Sequence, residues 1–106
     1  MSRTGRTTTM LNMALSRGTQ PKFGKTILIV AASYKHAKTM IRTLMQLADD
    51  RGLVLTKGKG LFVFFKKDGK AVSTFRFATW DQYVDGSIFR GMDYSDLFID
   101  HYCLEI

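Results

Sequence analysis

A buried strand that leads directly into a helix is the feature that most constrains the fold of this chain. Residues Lys25 to Ala32 are β-branched and apolar, which is typical of a strand covered on both faces, and such strands usually belong to parallel sheets. Ser33 can then cap a helix whose apolar residues recur at three- and four-residue steps as far as Gly52. This pair of elements predicts an α/β fold with the strand at the centre of its sheet.

Other segments of the chain supply further elements around this pair. The sequence Asp68-Gly69 between two apolar runs predicts an antiparallel hairpin, which we expect at an edge of the sheet. The order of the elements describes a three-layer α/β sheet whose binding site lies beyond the carboxyl ends of the parallel strands. The predicted elements are a helix at Thr7–Arg17 that stops at Gly18, hairpin strands at Leu61–Phe65 and Ala71–Phe77, a short helix within Thr79–Ile88, and a short strand at Asp96–Ile99.

The length of 106 residues suits a single domain, here residues 1–106. A hydrophobic content of 45% is ordinary for a folded protein and too high for a disordered one. The longest apolar runs, Ile27 to Ala32 and Leu61 to Phe65, are far shorter than the roughly 20 residues that cross a bilayer. We therefore expect no membrane-spanning segment.

The N-terminus and the cysteine content both favour a cytoplasmic location, in the host cell if the protein is encoded by a phage. Basic residues near the N-terminus are not followed by an apolar segment, so this region does not resemble a secretory signal. Cys103 is alone, which excludes an internal disulfide and fits a reducing compartment. It is expected to fill space in the core, because nothing near it in sequence marks it as an activated nucleophile.

The formal net charge of +7 favours an anionic partner such as a nucleotide, a nucleic acid or an acidic protein. A candidate anion site precedes the first predicted helix, where residues 4–8 read Thr-Gly-Arg-Thr-Thr. If these residues form a loop, the free N–H groups of the helix point at whatever occupies it. The alternative is a basic N-terminal arm in which Thr7 or Thr4 only caps the helix.

Residues 4–8 match the second half of a phosphate loop, whose full pattern is G-x-x-x-x-G-K-[ST]. Gly5 matches the second glycine and Thr7 the hydroxyl that binds magnesium, while Arg6 stands in the place of the lysine. Near the other end of the chain, Asp96 to Ile99 is an apolar strand followed by Asp100, which is the layout of the second motif of such proteins.

Taken together, these segments resemble P-loop NTPases, namely the ATPase cores of phage terminases and helicases and small phage proteins that open with Thr-Gly-Arg-Thr-Thr. The resemblance implies a mostly parallel sheet that lacks the first strand of that family, and binding of ATP with Mg²⁺. It assigns the nucleotide to residues Thr4, Gly5, Arg6, Thr7 and Thr8, the metal to Thr7 and Asp100, and the catalytic positions to Asp100 and His101.

Departures from the family pattern imply weak hydrolysis or none. Arg6 can pair with phosphate but is bulkier than lysine, so it would position the phosphate differently. His101 stands where many of these ATPases place a catalytic glutamate, and a neutral imidazole is a poor substitute for that carboxylate. The alternative for His101 is a purely structural or interface role. Nucleotide binding is therefore expected more than turnover.

A function of a different class is a non-enzymatic protein whose basic face binds nucleic acid or a host protein. Aromatic residues of the predicted hairpin alternate with cations that could hold phosphates while the rings stack on bases. The alternative is that at least half of these rings point into the core. Arg90 could also act on a neighbouring subunit if the protein forms a homo-oligomer. The cations of this candidate nucleic-acid site are Lys66, Lys67, Lys70 and Arg76.

Overall fold

The computed structural model describes residues 3–20, 24–68 and 70–104, which form helices on both faces of one sheet. Among these residues, none of the helices is both long and apolar enough to cross a membrane. The elements in chain order are α1 (Arg3–Gly18), β1 (Thr26–Ala31), α2 (Tyr34–Asp50), β2 (Leu55–Lys57), β3 (Phe62–Lys67), β4 (Lys70–Thr79), α3 (Trp80–Asp85), the 3₁₀ helix η1 (Ser87–Phe89), β5 (Asp96–Ile99) and the 3₁₀ helix η2 (His101–Leu104).

The sheet has five strands in the order β2-β3-β4-β1-β5 and mixes parallel with antiparallel pairs. Strand β1 pairs in parallel with β4 on one side and with β5 on the other, so that Ile27 lies between Phe75 and Asp96. Strands β2, β3 and β4 pair antiparallel. The predicted α/β class is therefore confirmed, and β1 has parallel neighbours on both sides, but the predicted position of β1 at the centre of the sheet is wrong because β4 lies there.

Strand β1 is buried because both faces of the sheet are covered. On one face, Ile27, Ile29 and Ala31 pack in the core that α1 and α2 complete. On the other face, Leu28 and Val30 pack against Ile88, Cys103 and the aromatic residues that surround them. Alternate residues of a strand point to opposite faces, so an apolar run without alternation is the expected sequence of such a strand.

The predicted hairpin is confirmed as β3 and β4, but its predicted position at the edge of the sheet is wrong. Strand β2 lies outside β3, with Leu55 paired to Phe65, and occupies the edge instead. Val63 and Phe65 of β3 are buried, which is consistent with an interior strand. Strand β2 was not predicted, because three residues are too few to display an alternating pattern.

The predicted loop at residues 4–8 is also wrong, because α1 begins at Arg3 and these residues are helical. The physical reason is that Thr7 continues the face of α1 that carries Leu11 and Ala14, since residues at steps of three and four share one side of a helix. The hydroxyl of Thr9 also donates a hydrogen bond of 2.8 Å to the Gly5 carbonyl, which is a contact made across one helical turn.

Candidate functional site

The first helix and the last strand of the sheet are joined by a hydrogen bond between two side chains. Thr7 Oγ1 donates to Asp100 Oδ1 at 2.8 Å, although the two residues are 93 positions apart in the sequence. These residues were both predicted as magnesium ligands from the two motifs at opposite ends of the chain. The fold therefore brings that predicted pair into direct contact.

Asp100 lies where β5 ends, and its backbone is held by the neighbouring strand. Its N–H donates a hydrogen bond of 2.9 Å to the carbonyl of Val30, which extends the parallel pairing of β1 and β5 by one residue. Only 1% of Asp100 is exposed. A carboxylate this deeply buried must be compensated by hydrogen-bond donors or a cation. Its position at the carboxyl ends of parallel strands is where open α/β sheets bind ligands.

The pair lies in a pocket of about 200 Å³ between α1, α2 and the start of η2. Hydroxyl groups dominate the polar part of its lining, and Asp100 is its one acidic residue among those described. The lining residues are Thr7, Thr8, His36, Thr39, Met40, Thr43, Asp100 and Tyr102.

Helix α2 presents its first half to this pocket. Ser33 caps the helix, because its hydroxyl accepts a hydrogen bond from the backbone N–H of His36. The same hydroxyl also shares a hydrogen bond of 2.7 Å with Nδ1 of the His36 ring. His36 is followed at helical spacing by Thr39 and Thr43, so the three side chains share one face. The positive end of the helix dipole therefore lies beside the pocket and favours an anion there.

The predicted catalytic residue His101 lies beside Asp100 and is not among the residues that line the pocket. Its Nδ1 is 3.4 Å from Asp100 Oδ1, and its buried Nε2 has no hydrogen-bond partner among the described atoms. Its ring packs at 4.3 Å between centroids on Tyr102, whose ring also stacks on His36 at 5.6 Å. His101 therefore contacts two residues that line the pocket, Tyr102 and Asp100, without lining it itself.

The remaining predicted nucleotide-binding residues are distributed unevenly. Thr8 lines the pocket together with Thr7. Gly5 and Arg6 occupy the first turns of α1 without lining the pocket, and the Arg6 side chain is exposed. The side chain of Thr4 falls outside the described part of the structure. The hydroxyl pair Thr7 and Thr8, rather than a loop, is thus what this segment contributes to the pocket.

The donor set of the pocket fits Mg²⁺ better than a transition metal. Among the described residues there is no group of three or more histidine, cysteine or acidic side chains that could hold a metal ion. Magnesium prefers oxygen ligands and is commonly held by only one or two protein groups, with water and phosphate oxygens completing its octahedron. Thr7 and Asp100 supply two such oxygens, 2.8 Å apart.

The four cations of the predicted nucleic-acid site do not form one surface. Lys66, Lys67 and Lys70 are exposed at the tip of the hairpin. Arg76 lies six residues along β4 from Lys70, roughly 20 Å away at the rise of an extended strand. Its guanidinium donates to the carbonyl of Ile88 and to the hydroxyl of Tyr94, at 3.0 and 2.7 Å. Arg76 is half-buried and connects β4 to the segment that contains η1 and Tyr94.

Cys103 is buried on the opposite face of β1, as expected of a core residue. Its thiol donates a long hydrogen bond of 3.6 Å to the Val30 carbonyl. Burial, with a smaller contribution from the negative charge of Asp100, raises the pKa of this thiol from 9.0 to about 11. Cys103 is therefore a neutral thiol at physiological pH and a poor nucleophile.

Sequence reasoning missed the half of the pocket that α2 and η2 supply. His36, Thr39 and Thr43 share a face at helical spacing, and that signal was available in the sequence. What the sequence did not reveal is that this face lies opposite Thr7, because that depends on how α1 and α2 pack. Tyr102 carried no signal, since it lies in a short 3₁₀ helix after the last strand.

Comparisons with known proteins give no relative from which a role could be transferred. A scan against protein-family models, a search of curated proteins and a search of solved structures each returned no significant match. The chemistry of the pocket is therefore inferred from its side chains.

Proposed function

We propose that this protein binds the phosphates of a nucleoside triphosphate together with Mg²⁺, using the hydroxyl and carboxylate pair of P-loop NTPases but with residues 4–8 helical in place of a phosphate loop, and with weak hydrolysis or none. The observation that carries the proposal is the 2.8 Å hydrogen bond from the Thr7 hydroxyl to the buried Asp100 carboxylate, at the carboxyl ends of β1 and β5. A hydroxyl beside an acidic side chain at this edge of a parallel sheet is the combination that holds magnesium in that class of protein.

The direction of the hydrogen bond suits a metal ligand. A threonine hydroxyl has one proton to donate and two lone pairs to accept with. Because its proton is committed to Asp100, the lone pairs of Thr7 Oγ1 are left to face a cation in the pocket. The bound Mg²⁺ would neutralise phosphate charge, while Asp100 orients the hydroxyl and balances the positive charge of the ion.

The size of the pocket supports phosphate as the group that enters it. Its volume of about 200 Å³ is below the roughly 300–1,000 Å³ of pockets that enclose whole drug-sized ligands. Phosphate groups would enter, and the sugar and base would lie outside. The start of α2 favours their negative charge through its dipole, and the hydroxyl of Thr8 can donate to a phosphate oxygen.

Weak hydrolysis or none follows from the acidic groups within reach. Asp100 is the only carboxylate among the described lining residues, and in this proposal it is engaged with Thr7 and the metal. Orienting a water molecule for attack on phosphate needs a further group with a free acceptor. His36 is the one other titratable side chain apart from Tyr102 in that lining, and its Nδ1 is engaged with Ser33.

The test is calorimetric titration with ATP and MgCl₂, comparing the wild type with Thr7→Val, Asp100→Asn and Arg6→Ala. Thr7→Val keeps the shape of the side chain and removes its hydroxyl, so we expect affinity to fall about tenfold or more, as for loss of a polar contact to a charged group. Asp100→Asn should weaken binding in Mg²⁺ and have less effect in EDTA. Arg6→Ala measures whether the exposed arginine reaches the phosphates.

The matched control is Thr9→Val, which makes the same chemical change on the same helix outside the pocket. Its affinity should equal that of the wild type. Titration with inorganic triphosphate isolates the phosphate contribution and should reproduce most of the binding. Absence of heat at millimolar ATP, or equal affinities of Thr7→Val and Thr9→Val, would rule out this site for nucleotide.

A further inference from the structure

A second and larger cavity is a groove between α2 and the segment that joins β2 to β3. Its volume is about 610 Å³, within the range of ligand-binding clefts. It adjoins the smaller pocket, because Thr39 lines both. The groove is lined by Tyr34, Lys35, Lys38, Thr39, Ile41, Arg42, Met45, Lys57, Gly60 and Leu61.

One wall of this groove carries a row of cations. Lys35, Lys38 and Arg42 follow one another at steps of three and four along α2, so they lie on one side of the helix. The row extends over about 10 Å, from the rise of 1.5 Å per residue. All three side chains are exposed. The opposite wall contributes Lys57, whose ammonium group donates to the carbonyls of Gly58 and Gly60.

The cations of the groove form no ion pair with an acidic side chain among the described residues. No acidic residue is among its described lining. The ion pairs formed by described side chains, Arg17 with Asp96 and His101 with Asp100, lie elsewhere. Four positive charges that face one cleft without a counter-charge favour a ligand with several negative charges in a row.

The groove also offers a surface for flat rings. Tyr34 is 57% exposed at the start of α2, and Lys38 Nζ lies 5.5 Å from the centre of its ring. Between the walls, Ile41, Met45 and Leu61 supply apolar contacts. An exposed aromatic residue beside a row of cations is the arrangement by which proteins bind unpaired bases and their phosphates.

We propose that this groove binds single-stranded nucleic acid, with phosphates along Lys35, Lys38 and Arg42 and a base stacked on Tyr34. The site is distinct from the hairpin lysines, which are exposed at the other end of β3 and have no groove among the described cavities. An acidic peptide could meet the cations, but it would not use the exposed Tyr34 ring as a stacking surface. This proposal does not depend on nucleotide binding at Thr7 and Asp100.

The test is fluorescence anisotropy of a labelled oligothymidine of about 20 nucleotides, titrated with protein at several salt concentrations. The groove variant Lys35→Ala/Lys38→Ala/Arg42→Ala is compared with the hairpin variant Lys66→Ala/Lys67→Ala/Lys70→Ala, which removes the same charge from exposed positions. We expect the groove variant to lose about tenfold or more in affinity. The slope of log K against log salt should become shallower by about 2, because each phosphate contact on a single strand contributes about 0.7.

Tyr34 separates base stacking from a simple charge effect. We expect Tyr34→Ala to lose about fivefold or more in affinity at unchanged salt slope, and Tyr34→Phe to bind like the wild type, since stacking requires the ring and not the hydroxyl. Circular dichroism of each variant verifies that it is folded. The charge reversal Lys38→Glu provides a second groove variant. It should fold, because the Lys38 side chain is exposed, and it should bind the oligothymidine weakly.

Three results would each overturn the proposal. The first is an equal loss of affinity in the hairpin and groove variants, which would mean that net charge alone binds the strand. The second is displacement of the oligothymidine by polyglutamate as effectively as by unlabelled oligothymidine. The third is tighter binding of a duplex of the same length, which would show that unpaired bases are not what the groove recognises.

Discussion

The Thr7 hydroxyl donates a hydrogen bond of 2.8 Å to the buried Asp100 carboxylate. Thr7→Val should lower the free energy of unfolding by about 1.5–3 kcal/mol, because it leaves a buried charged acceptor short of a hydrogen bond. Urea unfolding of the nucleotide-free protein measures this change. The exposed control Thr9→Val should fall within about 0.5 kcal/mol of the wild type. Equal stabilities of the two variants would mean that the hydrogen bond contributes nothing to folding.

The raised pKa of the Cys103 thiol leads to a prediction about the stability of the fold at alkaline pH. The folded state raises the pKa of its thiol to about 11 from 9.0, through burial first and the Asp100 charge second. The unfolded chain therefore releases this proton first, so the stability associated with the neutral thiol is intact below about pH 9 and decreases as the pH rises towards 11. Unfolding free energies of wild type and Cys103→Ala between pH 8 and 11 should converge, and parallel curves would contradict this.

At the scale of residues, the contact between Thr7 and Asp100 joins two residues that the sequence motifs had singled out, one in a Gly-Arg-Thr triplet and one after an apolar strand. The roles of Arg76 and Tyr102 could not be read in the same way. Arg76 was grouped with neighbouring lysines by charge alone, whereas its neighbours in space, Ile88 and Tyr94, decide what it does. The charge and spacing of a side chain therefore predict a binding partner only where that side chain is not already hydrogen-bonded within the protein.

At the scale of elements, α1 meets the sheet at Gly18, which was predicted as a helix stop. The helix does end there, yet Gly18 is not among the glycines with positive φ. A Cβ atom at this position would lie 2.3 Å from Cζ of the buried Phe75 ring. The glycine is thus required for close packing of helix on sheet rather than for a left-handed turn.

Gly18→Ala should therefore destabilise the protein by about 1–3 kcal/mol, as overpacking of a core does. The double variant Gly18→Ala/Phe75→Leu should recover part of the loss relative to Phe75→Leu alone, because the shorter side chain makes room for the methyl group. Thermal unfolding measures both. A Gly18→Ala variant as stable as the wild type would show that α1 can shift away from β4 without cost.

The beginning of α1 illustrates why element boundaries were harder to predict than the elements themselves. Residues 4–8 match half of a phosphate loop and, apart from Arg6, have low helix propensity, so the sequence favoured a loop there. Tertiary contacts reverse that preference, because Thr7 lies on the face that packs towards the sheet and donates to Asp100. Helix α2 could be predicted without knowledge of tertiary contacts, since its N-cap and its apolar face are both visible in the local sequence.

At the scale of the whole molecule, the sequence predicted the class of the fold better than the order of its strands. The unbroken apolar run of β1 revealed a strand buried on both faces with parallel neighbours, as the pairing with β4 and β5 bears out. The added edge strand β2 depends on three residues whose pattern is too short to read. The meeting of α1 with β5 is a long-range contact, which no local pattern encodes.

The long-range contact between α1 and the β5 region has a consequence for folding during synthesis on the ribosome. Thr7, near the start of α1, contacts Asp100, which directly follows β5, and Arg17, near the end of α1, contacts Asp96, the first residue of β5. A ribosome adding roughly 5–20 residues per second needs about 5–20 s to travel from the first member of the Thr7–Asp100 pair to the second. During that time the threonine has no carboxylate to meet, so the pocket cannot form until Asp100 and Tyr102 have been synthesised.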